Sequence, residues 1–148
     1  MAPTAVSITT TRLTSEASPV LTLRMSDMRR NDKYIGAPFK WNGRDMNGFD
    51  CLGLVKQILQ DDGITIPDQI SSTDNEKRLQ AFTANIPLWT EIDLKPGGIL
   101  LFRIPGAFHV GYYEGEDRFI HTWEKSAGVV RERFSSWKQR LIGVYEYA

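Results

Sequence analysis

Apolar residues along this chain keep two different periods, and the change from one to the other divides it. From Cys51 onward, Leu52, Leu54, Val55, Ile58 and Leu59 recur at the spacing of one helix face, and Asp61-Asp62-Gly63 closes the run. Past Leu94-Lys95-Pro96-Gly97-Gly98, a turn signature, the apolar positions shorten into stretches rich in Val, Ile, Phe and Tyr. Five strands are expected there, at residues 99–103, 108–113, 118–122, 128–133 and 141–147. The breaks between them, "IPGA", "EGED", "EKSAG" and "SSWKQR", are those of an antiparallel sheet. Two further helices are expected at residues 26–34, capped by Ser26 with Met25, Met28 and Ile35 facing inward, and at residues 74–82, with Asp74 near the N-cap. Gly36 to Gly43 reads as a loop. Helices first and strands afterwards predict an α+β domain.

Residues 1–24 have another texture, rich in Thr and Ser, and read as an extended arm with two short strand-like stretches, leaving residues 25–148 as the domain. A chain of 148 residues suits one such domain and buries about two thirds of its unfolded surface. Eighteen basic and 18 acidic residues cancel, so the overall charge points neither to nucleic acid nor to an anionic membrane as a partner. No window approaches the ~18–20 apolar residues that a membrane span needs. The first thirty residues lack the charged start and unbroken apolar stretch of a secretory signal, so a role outside the cytoplasm is expected to need another carrier.

The single cysteine excludes an internal disulfide and draws attention to its position. Cys51 follows Asp50, a good N-cap, at the start of the predicted helix. Unpaired backbone N–H groups and the positive end of the helix dipole favour thiolate there, the reactive form. Taken alone, Cys51 reads first as a small buried hydrophobe. Thiolate chemistry also needs a base, and the chain has two histidines, His109 and His121, in strands joined by the tight "EGED" turn. A hairpin brings the two imidazoles side by side on one sheet face, where His121 can accept from His109 and turn its ring toward Cys51. A three-ligand zinc site from the same residues lacks any CxxC or HxxxH spacing, and no metal or cofactor is expected.

"YIGAPFKWNGRDMNGFDCLGLV", followed by "LKPGGILLFR" and "FHVGYYEGEDRFIHTWEKSAGVV", resembles the NlpC-type cysteine peptidases of bacterial cell walls over about residues 34–147. Gly48, Phe49, Asp50, Cys51 and Gly53 match the family's nucleophile block, His109-Val110-Gly111 its histidine strand, and His121 its third polar residue. The resemblance implies a papain-like fold, with the nucleophile helix packed on an antiparallel sheet of about five strands. It implies Cys51 as nucleophile, His109 as general base and acid, and His121 as orienting residue, acting on the D-Glu to diamino-acid bond of peptidoglycan stem peptides. Asp50, Phe39 and Trp41 fall where substrate is held, and Trp123 and Tyr113 are further candidates for groove walls. This chain departs from the family pattern at Leu52, where Ser is usual, at Phe39, where Tyr is usual, and at Gly98 of the turn. "GRDMNGFDCLGLV" with "HVGYY" is most similar to members carried by bacteriophages and gene-transfer-agent-like particles, which implies a place at the virion tail, with tail-tip or hub proteins as partners of the arm. A structural tail-tip adaptor with a vestigial peptidase fold is the alternative, and an acyltransferase or amidase on a non-wall substrate is a third.

The nucleophile reading makes a direct prediction. Iodoacetamide is expected to alkylate Cys51 in the folded protein faster than a model thiol at neutral pH. Protection until denaturation would return Cys51 to the core.

Overall fold

A computed structural model describes residues 30–66 and 89–147 of the chain. The arm at residues 1–24 and the helix expected at residues 74–82 lie outside the described residues. The chain divides into two units, Met1–Asp32 and Lys33–Ala148, and the architecture below belongs to the second. Where the helix at residues 26–34 is expected to end, a 3-10 turn, Asn31–Tyr34, is found.

Helix α1 (Cys51–Asp61) forms where the apolar period predicts it. Asp50 stays extended, with φ −93° and ψ −179°, and its carboxylate accepts the Gly53 N–H, so the sequence signal for an N-cap is realised in the backbone. At the other end Gly63 adopts φ +84°, and two backbone bonds close the helix, Gly63 N–H to Gln60 O and Ile64 N–H to Leu59 O, each 2.9 Å. That is a Schellman stop, which a glycine enters without a Cβ penalty. Between the caps, Leu52, Leu54, Val55, Ile58 and Leu59 are buried against the sheet, each side chain contributing on the order of 1.5–3 kcal/mol by leaving water.

A two-stranded ribbon, β1 (Arg44–Asp45) and β2 (Gly48–Phe49), leads into the helix. The remaining strands are β3 (Trp89–Glu91), β4 (Ile99–Ile104), β5 (Ala107–Gly115), β6 (Arg118–Thr122), β7 (Val129–Arg133) and β8 (Leu141–Tyr147). They form one antiparallel sheet in the order β3-β8-β4-β5-β6-β7. All five expected strands are present, with shifts of up to two residues at their ends. The sheet has six strands rather than about five, because Trp89-Thr90-Glu91 pairs with the far end of β8. Three residues are too few to show a period, so that strand is set by backbone pairing and by the edge-on contact of Trp89 with Tyr147.

Alternation along the strands divides the core in two. Ile99, Leu101, Val110, Tyr112, Ile120 and Val129 face α1, while Leu100, Phe102, Tyr113, Phe119 and Val144 pack on the other side with Phe134 and Trp137. Ile99 to Phe102 is therefore apolar at every position, as expected of a strand buried on both faces. The β5–β6 hairpin turns through Glu116 and Asp117, with φ +54° and +62°, positive values that suit the right-handed twist of the strands.

The β1 approach presses hard on the helix start. A Cβ built on Gly53 would stand 2.0 Å from the Gly43 carbonyl oxygen. Ala in place of Gly inside a helix ordinarily stabilises by about 0.8–1 kcal/mol, but here the sign is expected to reverse. Gly53→Ala should lower the urea midpoint of unfolding, because the obstructing atom is backbone; an unchanged or raised midpoint would show that the ribbon moves aside freely.

Candidate active site

The helix start is held by one carboxylate. Asp50 is 3% exposed, and it accepts from the Gly53 N–H at 2.7 Å, from Arg44 Nη1 at 2.8 Å and from the Asn42 N–H at 2.9 Å. Arg44 Nη1 also donates to the Gly43 carbonyl at 2.8 Å. Asp50 thus binds three donors of the chain itself, as cap of α1 and anchor of the loop before it. Cys51, the next residue, is half-buried at the first position of the helix.

Phe39 and Trp41 stand in that same loop, with their rings edge to face at 4.7 Å. The Phe39 backbone bridges Phe49, through the bonds Phe49 N–H to Pro38 O and Lys40 N–H to Phe49 O, each 3.0 Å. Phe39 is thereby fixed opposite a residue two before Cys51, Trp41 packs on its ring, and both aromatics are half-buried. Leu52, where the family pattern has Ser, is buried in the core beneath the helix.

The two imidazoles come together as the hairpin predicts. Helix α1 packs across β5 and β6, the strands that carry them. Tyr112 pairs with Ile120, and one step further along that register Gly111 lies opposite His121, with His109 on the diagonal. His109 Nε2 and His121 Nδ1 are 2.8 Å apart. A Cβ on Gly111 would lie 2.9 Å from the Phe119 ring and 3.4 Å from the His121 Cβ, so the glycine leaves room for Phe119 to stack on His121 at 4.5 Å. Trp137, also buried, has its ring 5.4 Å from His109, 4.9 Å from His121 and 4.9 Å from Trp123.

One participant is absent from the sequence reading. Glu132 Oε2 lies 2.7 Å from His121 Nε2, and Glu132 Oε1 accepts the Trp137 indole N–H at 3.3 Å. The strand period puts Glu132 on one face with Val130, and the register that pairs Val130 with His121 brings it to that ring. Among the described residues, no group of three or more His, Cys, Asp or Glu side chains is arranged to hold a metal ion.

Burial sets the charge state of both rings. His109 is held well below the usual imidazole range, first by loss of water and then by repulsion from His121 when that ring is protonated and from the Arg140 guanidinium. His121, with no exposed surface, is lowered to about 3 by burial. Each ring is therefore neutral near pH 7 and carries a single N–H, and Glu132 meets a neutral ring rather than an imidazolium.

Comparison with known proteins places this geometry in context. Residues 36–146 match the model of the NlpC/P60 family. A probable endopeptidase of Mycobacterium tuberculosis is 33% identical over 88 residues, covering 60% of this chain and 20% of that protein. The probable endopeptidase p60 of Listeria monocytogenes is 28% identical over 112 residues, covering 75% of this chain and 21% of its own length. The chain spans about a fifth of the length of these relatives. The crystal structure of the NlpC/p60 domain of the peptidoglycan hydrolase SagA superimposes with a TM-score of 0.58 at 23% identity, over 83% of this chain and 97% of that one. That likeness shows the α+β, papain-like fold.

The buried neutral rings predict a pH dependence of stability. Below the ordinary value of 6.5 the unfolded chain takes up protons at His109 and His121, while the folded chain takes up none at His121 until about pH 3. Stability is therefore complete above pH 6.5 and falls as pH falls, by up to about 1.4 kcal/mol per pH unit for each histidine. Urea midpoints measured from pH 7 to 5 should decline, and His121→Asn should flatten the decline. Level midpoints across that range would mean that one or both rings protonate in the folded state.

Proposed function

The chain belongs to the NlpC/P60 family, and from that premise we propose that it is a cysteine peptidase that cuts the stem peptides of peptidoglycan. The observation that carries this reading is the buried His109–His121 contact on β5 and β6, the strands across which the helix that begins with Cys51 packs; the rings themselves lie on the sheet face of Phe102, Phe119 and Trp137. His121 occupies Nε2 of His109, which leaves Nδ1 as the nitrogen for proton transfer. The Cys51 thiol gives its proton to Nδ1 of His109 and attacks the peptide carbonyl as thiolate; His109 then passes that proton to the nitrogen of the breaking C–N bond, which leaves as the amine. Water deprotonated by His109 then releases the acyl-enzyme. The Cys51 backbone N–H, at the first position of α1, donates to the developing oxyanion. The relatives named as endopeptidases and peptidoglycan hydrolases support the substrate class.

The scissile bond in this reading joins D-Glu to the diamino acid. Phe39 and Trp41 form the wall of the substrate groove beside Cys51. Asp50 supports that wall through Asn42 and Arg44, its own oxygens being engaged by the chain. The enzyme is carried on a virion tail and docks through residues 1–24 to tail-tip or hub proteins, a reading supported by the wording of "GRDMNGFDCLGLV" and "HVGYY".

Digestion of purified sacculi, with mass spectrometry of the released fragments, tests the activity and the bond together. Wild type should release peptides ending in D-Glu, and Cys51→Ala should release none. His121→Asn keeps an acceptor for His109 and should retain much more activity than His121→Ala. Fragments released equally by wild type and Cys51→Ala would exclude thiol catalysis. Purified particles in which an antibody to the protein finds it away from the tail would exclude the tail placement.

A further inference from the structure

Glu132 takes no part in the mechanism above, yet it touches the histidine pair from the side away from His109. We propose, building on the peptidase reading, that Glu132 is a positioning residue whose carboxylate decides which nitrogen of each imidazole carries the proton.

A carboxylate only accepts, so at 2.7 Å from Glu132 Oε2 the Nε2 of His121 must carry its hydrogen. His121 is neutral, so its Nδ1 then bears a lone pair. The 2.8 Å contact from that Nδ1 therefore requires hydrogen on Nε2 of His109. Neutral His109 is left with a lone pair on Nδ1, the form that can accept a proton from a thiol. Two neutral imidazoles by themselves have no such direction. The chain of bonds can run the other way, with His121 Nδ1–H donating to His109 Nε2, and then Nδ1 of His109 carries hydrogen and cannot act as base. The carboxylate removes that degeneracy.

Its surroundings fit this task. Glu132 and Arg131 point to opposite faces of β7, and Arg131 is engaged by buried Glu114 at 2.6 Å on the other face. The second oxygen of Glu132 is held by the indole N–H of Trp137, whose ring packs against both imidazoles. The Glu132 side chain is 37% exposed and His121 is fully buried, so the carboxylate keeps some hydration at one oxygen while directing a ring that has none.

The test exploits the fact that the chain has only two histidines. Full-length protein labelled with 15N-histidine reports each ring's tautomer in long-range 15N–1H spectra, and His121→Asn assigns the two rings. In wild type both rings should carry hydrogen on Nε2. In Glu132→Gln the amide oxygen can satisfy either Trp137 or His121, not both; with its oxygen on Trp137, its N–H group faces His121 Nε2 and reverses both rings. Glu132→Gln and Glu132→Ala should therefore lose the uniform Nε2–H form. On a soluble stem peptide both should lose kcat by roughly tenfold or more, with KM little changed, as for outer groups that orient a reactive ligand. Hydrogen on Nδ1 of either ring in wild type overturns the proposal without any variant. Wild-type tautomers and wild-type kcat in both variants overturn it as well. Tautomers that depend on Glu132 in a wild-type protein that cleaves no stem peptide would refute the peptidase reading and leave the carboxylate's control of the rings standing.

Discussion

Asp50 gathers donors from three places in the chain, and the position of Cys51 depends on all of them. Its carboxylate closes the first turn of α1 through Gly53, fixes the backbone of the preceding loop through Asn42 and neutralises its own charge through Arg44. A carboxylate this deeply buried is tolerable only with such partners, since hydrogen bonds to charged groups are worth about 1.5–3 kcal/mol each and their absence costs more. The same bonds explain two glycines. Gly43 presents its carbonyl to the helix and Gly53 presents no side chain to meet it, so ribbon and helix approach at backbone distance. Cys51 is held from both sides of a single residue.

The histidine pair rests on a different principle. Its rings lie among Phe102, Phe119, Trp123 and Trp137, where water is excluded and charge is expensive. Such a setting suppresses imidazolium in the resting protein, and it strengthens each remaining polar contact because the local dielectric is low. An imidazolium formed on His109 would find its compensation in His121 and, beyond it, in Glu132. The aromatic wall and the polar file are thus two parts of one arrangement.

Much of this was legible in the sequence because it follows short-range rules. The helix from Cys51 announced itself by period and cap, the strands by alternation and turns, and the meeting of His109 with His121 by the shortness of "EGED". What escaped was set by pairing between distant segments. Trp89–Glu91 becomes a strand only because β8 offers its edge. Glu132 enters the site only once the register of β6 on β7 is known, which the strand period alone does not give. Asp50 was legible as a cap, whereas its bond to Arg44 required the ribbon to fold back.

The loop that carries Phe39 and Trp41 also finishes the sheet. Strand β7 lies at its edge, and there Gly36 N–H reaches the Val129 carbonyl at 3.0 Å, Val129 N–H reaches Ala37 O at 2.9 Å, and Phe39 N–H reaches Ala127 O at 3.0 Å. An uncovered edge strand is a template for adding strands from other molecules, which leads to aggregation. Here the start of that edge is already occupied by the protein's own backbone, and further along it bears Arg131, Glu132 and Arg133. Opening the loop would therefore expose unpaired strand groups as well as move Phe39 and Trp41. Changes that loosen this loop to broaden binding carry a cost in solubility, paid at the opposite side of the same hydrogen bonds.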